Sequence, residues 1–434
     1  MKRQLSAAAV ALALCVPAQA QTEIQWWHSM TGGLNDWVVD LASGFNASQK
    51  DYKIVPTYKG SYDESMSASI AAFRAGQAPH ILQVYEVGTA TMMAAKGAIV
   101  PVGKVLSDAG YKFDPKAYIP AVVGYYTAPN GQMLSFPFNS STTVLNYNKD
   151  LFKKAGLDPN KPPTTWPELV LAAGKLKASG VACPFTTSWQ TWTQLESFST
   201  WHNTLFATHD NGFGGTKARL AFNSPLHVRH IENLANMAKQ GLFHYRGRGS
   251  KGDAPFYSGE CAMATGSSAG YASIKKNARF DFGIAPLPYY PDVPGAPRNT
   301  IIGGASLWVM SGKPAPEYKG VAAFFNYLTN AEIQAKSHQR TGYLPITLAS
   351  FALTEKSGFY QQNPGTDTSV NQMIRKTTAK SRGVRLGNFN QIRAIMEEEL
   401  EQIWAGKKSA KQGLDAAVKR GNEQLERFER ANKL

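Results

Sequence analysis

From Glu23 to Tyr85 the chain changes its period four times, and that alternation restricts the fold more than any other feature. Glu23–Ser29 is a short strand-like run, and Leu34, Trp37, Val38, Leu41 and Phe45 then recur at helical spacing. Tyr52–Tyr58 is β-branched and extended. Ser61-Tyr62-Asp63-Glu64 has the S-x-x-E form of a capping box and predicts a helix running through Phe73. Pro79 closes that unit, and Ile81–Tyr85 is apolar again. A β-α-β-α-β order requires parallel neighbours with helices on the sheet faces, so the fold class is α/β.

The rest of the chain continues in the same style. Leu145–Asn148, Phe280–Leu287 and Ile301–Met310 read as strands, and Trp166–Lys177 as a helix closed near Gly180. Ile392, Ile395, Met396, Leu400, Ile403 and Trp404 form one helical stripe with Gly406 as its C′ residue. Leu414, Val418, Leu425 and Phe428 form the last stripe. The charges between these positions, Glu397-Glu398-Glu399 among them, read as a solvated face. A length of 434 residues is enough for two or three domains of about 150 residues each.

The formal net charge of +15 leaves nucleic acid, a membrane surface or a small anion as partners. The amino terminus narrows that choice. Met1-Lys2-Arg3 is basic, Leu5–Val16 is apolar, and Ala18-Gln19-Ala20 is an A-x-A cleavage signal. This is the build of a secretory leader, predicted to be cut after Ala20. Its apolar run is shorter than the ~20 residues that a membrane span requires. An exported chain has no genome to meet, so no nucleic-acid partner is expected. Beyond the leader only Cys183 and Cys261 remain, which is consistent with one disulfide in an oxidising compartment or with two buried thiols.

Catalytic chemistry is sparse, and neither a P-loop nor a G-x-G-x-x-G is present. His227 and His230 lie three apart on a helix face without a third ligand, so no metal is expected. Gly266-Ser267-Ser268-Ala269-Gly270 matches the nucleophile elbow G-x-S-x-G between a strand and a helix. Only His338 follows Ser268, without an intervening acid at recognisable spacing. An exported serine esterase using Ser268 is therefore the minor reading, and no enzyme and no cofactor are expected.

Several long blocks carry a resemblance: Trp27-His28-Ser29-Met30, Tyr52-Lys53-Ile54-Val55-Pro56, Ile81–Met93, Pro137–Thr142, Ile301–Met310, Thr341–Thr347 and Arg385-Leu386-Gly387-Asn388. With these the chain resembles the substrate-binding proteins of ABC importers of the two-lobed, maltose-binding type, and within them the glycerol-phosphate-binding members. The resemblance implies a two-lobed periplasmic-binding-protein fold (type II), each lobe a mixed sheet flanked by helices. Crossings are implied near 139–143, 301–304 and 343–345. The implied division is residues 1–20 as leader, 21–138 and 301–343 as lobe I, and 139–300 and 344–434 as lobe II.

It also implies a periplasmic monomer that takes glycerol 3-phosphate, or a glycerophosphodiester such as glycerophosphocholine, in the cleft between lobes. The cargo passes to the permease subunits of an ABC importer with a cytoplasmic ATPase. The ligand set implied is Tyr62, Glu86, Ser141, Trp189, Trp192, Ser267, Gly304, Tyr343 and Arg393. In that set Arg393, expected in the first turn of its helix, offers a fork to phosphate. Glu86 is acceptor-only when ionised and faces the glycerol hydroxyls. Trp189 and Trp192 cover the glycerol carbons, although on spacing alone two Trp three apart are core residues. Ser267, Tyr62, Tyr343 and the Gly304 N–H add neutral donors. An oligosaccharide carrier on the same fold is the alternative, since a Trp pair and an acid also suit sugars; the phosphate-directed set around Arg393 disfavours it.

Overall fold

The computed structural model describes residues 21–95 and 97–432; the expected leader and its cleavage site lie outside them. Among the described residues, ten strands form two sheets. They are β1 (Thr22–His28), β2 (Tyr52–Tyr58), β3 (Ile81–Tyr85), β4 (Ile99–Val100), β5 (Phe136–Ser141), β6 (Thr143–Asn148), β7 (Cys183–Thr187), β8 (Cys261–Ser267), β9 (Phe282–Ala285) and β10 (Gly303–Met310). The first sheet runs β2-β1-β3-β10-β4, with β5 also on β10. β1 is parallel to β2 and β3, as the opening alternation requires, and β10 is antiparallel to β3. The second sheet is β7-β8-β6-β9, mixed in the same way.

Local chemistry sets the helix starts. Ser61 and Glu64 close the expected capping box, fixing the helix Tyr62–Arg74. Thr165 and Glu168 do the same for Trp166–Ala178, and Ser409 and Gln412 for Ala410–Ala431. Gly406 sits at φ +71 directly after the helix Phe389–Trp404, in the left-handed conformation a C′ residue adopts. One core gathers Trp26, Val38, Phe45, Leu307, Val309 and Phe324 around the first sheet. The other gathers Leu145, Phe185, Leu234, Met263, Ile392 and Leu414 around the second. Each sheet with its helices is one lobe.

The chain path corrects the expected division. β5 stays in the first sheet to Ser141 and β6 opens the second at Thr143, so the chain crosses at Thr142 and residues 139–141 belong to lobe I, not lobe II. The last crossing departs further from position 344. Ile119 N–H donates to the Ile346 carbonyl, Thr347 pairs with Tyr118, and Tyr360 hydrogen-bonds His338. Lobe I therefore keeps the chain to Tyr360. Asn363 accepts from Tyr271, and Gly365 packs on Ile284, both in lobe II. The acidic triplet is corrected as well. Only Glu398 is solvated; Glu399 is buried between Lys408 and Arg420, and Glu397 accepts from Gln190.

Cys183 and Cys261 are bonded, and they are direct partners in the β7–β8 register. The bridge closes a loop with a sequence separation of 78. Loop entropy for that length amounts to about 4 kcal/mol, of which measured bridges commonly deliver 2–4. The Cys183→Ser/Cys261→Ser variant should lose that much stability in urea unfolding. A midpoint equal to wild type would show that the lobe does not depend on the bridge.

Candidate functional site

The strand ends of both sheets meet at a cavity of about 400 Å³ between the lobes, and all nine expected site residues border it. Lobe I contributes Tyr62 at the first position of its helix, Glu86 just after β3, Ser141 at the end of β5, Gly304 in β10 and Tyr343 after the helix Ala331–Thr341. From lobe II come Trp189 after β7, Trp192 at the start of a π-helical turn over Trp192–Ser197, Ser267 at the end of β8, and Arg393. The lobes also touch outside the cavity, where Lys276 Nζ lies 3.9 Å from Asp36.

The aromatic walls are fixed by their neighbours. Tyr62 stacks on Tyr85 with ring centroids 4.9 Å apart and planes within 7°. Its hydroxyl accepts from Asn139 Nδ2 at 3.2 Å. Trp192 is buried and donates through Nε1 to the Ile302 carbonyl at 3.3 Å, with its ring packed against Gly303. Trp189 is half-buried and holds φ +52, a backbone state that costs a bulky residue free energy and that clusters at ligand clamps. Its N–H is tied to the Gly249 carbonyl at 2.7 Å. The Arg246–Gly249 loop thereby supports Trp189, while Arg248 is occupied by Glu401 and Arg246 by Glu260.

The charged centre differs from expectation. Arg393 is in the second turn of its helix, since the helix begins at Phe389. Its Nε and Nη2 each lie 2.8 Å from the two carboxylate oxygens of Glu196, and Nη2 also lies 2.6 Å from Glu86 Oε1. The fork expected for an external anion is thus engaged by protein carboxylates, and among the described residues Nη1 has no hydrogen-bond partner. Glu86 turns to Arg393 and away from a purely ligand-facing role. Burial pushes the Glu86 carboxyl above its ordinary range, against the pull of Arg393, and Glu196 adds to the push. Burial opposes the charge of Arg393, but Glu196 and Glu86 outweigh it and hold the guanidinium protonated. Because Glu86 belongs to lobe I and Arg393 to lobe II, the ion pair bridges the lobes.

Glu196 was absent from the expected set. Its signal was in the sequence: it is the one charged residue in Pro184–Trp201, and it is 1% exposed. A carboxylate buried to that degree requires a cation. Asp253 was missed too. It borders the cavity and accepts from Ser188 Oγ at 2.5 Å. Burial raises its pKa to about 6, against the hydrogen bond from Ser188. The folded state therefore holds a proton that the unfolded chain releases, and this stabilisation is present at acid pH and lost as pH rises through about 6. A two-unit shift is worth about 3 kcal/mol, reduced to roughly 1–2 by the solvent the cavity admits. Asp253→Asn should exceed wild type by that amount in urea unfolding at pH 7.5 and converge with it by pH 4. A difference that does not vary with pH would contradict the assignment.

Ser268 of the G-x-S-x-G motif accepts from the Thr142 N–H at 3.4 Å. His338 has its two ring nitrogens on the Tyr343 carbonyl and the Tyr360 hydroxyl. His227 lies between Ser199 and Ser224, and His230 on Gln194 and Tyr290. Among the described residues no group of three His, Cys, Asp or Glu is placed to hold a metal ion.

Two α/β lobes, strand ends converging on an enclosed polar and aromatic cavity, and hinge crossings in the connecting strands define a solute-binding protein of the maltose-binding type. Residues 40–368 match the family described as bacterial extracellular solute-binding protein, and the chain belongs to that family. It is 54% identical over 427 residues to the sn-glycerol-3-phosphate-binding periplasmic protein UgpB of Yersinia pseudotuberculosis, covering 98% of this chain and 97% of that one. Identity to the Escherichia coli K12 protein of the same name is also 54%, over 99% and 98% of the two chains. Among solved structures, UgpB of Mycobacterium tuberculosis in complex with glycerophosphocholine superposes with TM-score 0.77 at 21% identity, over 94% and 99% of the chains. The cyclic alpha-maltosyl-1,6-maltose binding protein of Arthrobacter globiformis gives TM-score 0.74 at 22% identity, over 94% and 100%.

Proposed function

We propose that the interlobe cavity captures sn-glycerol 3-phosphate and glycerophosphodiesters such as glycerophosphocholine, and that the protein delivers them, as a periplasmic monomer freed of its leader after Ala20, to the permease of an ABC importer. The observation that carries this reading is Arg393 Nη1, a charged donor without a partner among the described residues, beside a cavity that Ser141, Ser267, Tyr62 and Tyr343 also border. One fixed cation and several neutral donors suit a phosphate oxygen. Trp189 and Trp192 suit the carbon skeleton. A volume of about 400 Å³ is in the range of small-ligand sites. The nine-residue ligand set is proposed on this basis, with Glu196 added as the group that orients Arg393.

The cavity wall favours the diester over the monoester. Glu64, Glu86 and Asp253 border it against one cation, Arg393. A dianionic monoester meets more repulsion there than a diester with a single phosphate charge, and a cationic head group gains from the acids. Titration calorimetry with glycerol 3-phosphate, glycerophosphocholine and maltose tests the reading. Heat is expected with both phosphates, with the diester binding at least as tightly, and none with maltose. No heat with either phosphate would refute it, and heat with maltose alone would establish the sugar carrier. Release of choline that Ser268→Ala abolishes would establish an esterase in its place.

A further inference from the structure

A second cavity between the lobes lies apart from the one described above. It is an open groove of about 1280 Å³. Lobe I forms most of its wall, from the segment between Gly103 and Met133, and lobe II adds Phe213, Arg382 and Arg385. The cations come from both lobes: Lys104 and Lys112 from lobe I, Arg382 and Arg385 from lobe II. Among the described residues the one acid on the wall is Asp114, whose carboxylate accepts from the Lys116 N–H. Lys104 is paired with Asp108 at 2.6 Å. Among the described residues no carboxylate pairs with Lys112, Arg382 or Arg385.

Arg385 is the least ordinary of these. It is 8% exposed, and a guanidinium buried to that degree is normally neutralised. Here its Nη1 donates to the Tyr125 and Thr127 carbonyls at 2.9 and 3.0 Å, and its Cζ lies 4.4 Å from the centroid of the Phe213 ring. Arg382 lies over the same ring at 4.5 Å. Two guanidiniums thus lie on one phenyl ring, with Arg385 Nη1 committed to backbone carbonyls and Arg382 exposed. Arg382 and Arg385 share one ring and repel each other, and a small multivalent oxyanion beside them relieves that repulsion while accepting from several donors. Burial lowers the Arg385 pKa and the charge of Arg382 adds to that, a direction that a bound anion reverses.

We propose that this groove is a second anion site, for a small multivalent oxyanion of the pyrophosphate class, held by Arg382 and Arg385 from one lobe and Lys112 from the other. The site is separate from the solute cavity, because no residue borders both. Pyrophosphate titrated calorimetrically into the full chain tests it against two variants, Arg382→Gln/Lys112→Gln and Arg393→Ala. The groove variant should bind pyrophosphate at least tenfold more weakly, with unchanged thermal melting and unchanged response to glycerophosphocholine. The cleft variant should bind pyrophosphate as wild type does. Binding lost in an Arg393→Ala protein that still melts cooperatively, and kept in the groove variant, would place the anion in the solute cavity and overturn the proposal, as would no binding to wild type. Sedimentation with phosphatidylglycerol vesicles separates a free anion from a lipid head group. Wild type carried down while the groove variant stays in solution would assign the charge cluster to a membrane surface and overturn the proposal as stated.

Discussion

Arg393→Ala should weaken glycerol 3-phosphate and glycerophosphocholine by at least 100-fold in calorimetry. That corresponds to about 3 kcal/mol, the scale for losing a charge-assisted partner in a desolvated site. The same change should also cost folding stability, because Glu86 and Glu196 remain buried without their cation. Breaking one side of a buried ion pair costs about 3–5 kcal/mol, whereas replacing every member by neutral groups costs far less. The two roles therefore come apart in one further variant. Arg393→Ala/Glu86→Gln/Glu196→Gln should recover most of the urea midpoint and none of the affinity. If the triple variant regained binding, Arg393 would serve structure alone and the phosphate would lie elsewhere.

Gly304→Ala should destabilise the protein by about 3–5 kcal/mol. Gly304 holds φ +85 within β10, and a Cβ there would meet the Asn139 carbonyl oxygen at 1.9 Å. Backbone strain and overpacking contribute about 1–3 kcal/mol each. The collision is with backbone, so no rotamer change relieves it, and the β5–β10 pairing of Gly304 with Ser140 must open. At the neighbouring Gly303 a Cβ would meet the Trp192 ring at 2.4 Å, a side chain that can shift. Gly303→Ala should therefore be the milder change in stability while disturbing the Trp192 wall of the cavity. Urea unfolding of both variants checks the order, and a Gly304→Ala midpoint close to wild type would contradict it.

The parts of the fold that were legible in the sequence are those decided locally. The S-x-x-E box at Ser61 selects a helix start through two hydrogen bonds within one turn. The stripes from Ile392 and Leu414 come from the 3.6-residue period and need no knowledge of what covers them. Parallel pairing of β1 with β2 and β3 follows from chain connectivity. The last crossing was misplaced because lobe membership of Ile346 and Thr347 depends on Ile119 and Tyr118, more than 200 residues away, and nothing in Tyr343–Pro345 encodes those partners. The acidic triplet failed for a similar reason. Glu399 has a surface residue's composition, and it is buried only because Lys408 from the following loop and Arg420 from the next helix converge on it.

For the site, the resemblance supplied the set and the structure supplied the connections. A list of nine residues gives each one a role toward ligand. Arg393 and Glu86 instead meet each other first, with Glu196 as the third member. Charge pairing across 307 and 197 positions of sequence cannot be read from either end. The one local clue was the isolated acid in an uncharged stretch.

The bridge from Glu86 to Arg393 has a thermodynamic consequence for cargo loading. A ligand that must close two free lobes has its apparent affinity reduced by the fraction of molecules already in the competent arrangement. An ion pair spanning the cleft raises that fraction before any solute arrives, and the arriving solute joins Glu86 on the same guanidinium through Nη1. Affinity is thereby set in part by a contact the solute does not make. Changes that weaken the Glu86 pair lower idle closure and loading together, so the scarcity of solute at which the carrier fills becomes a property of a single carboxylate.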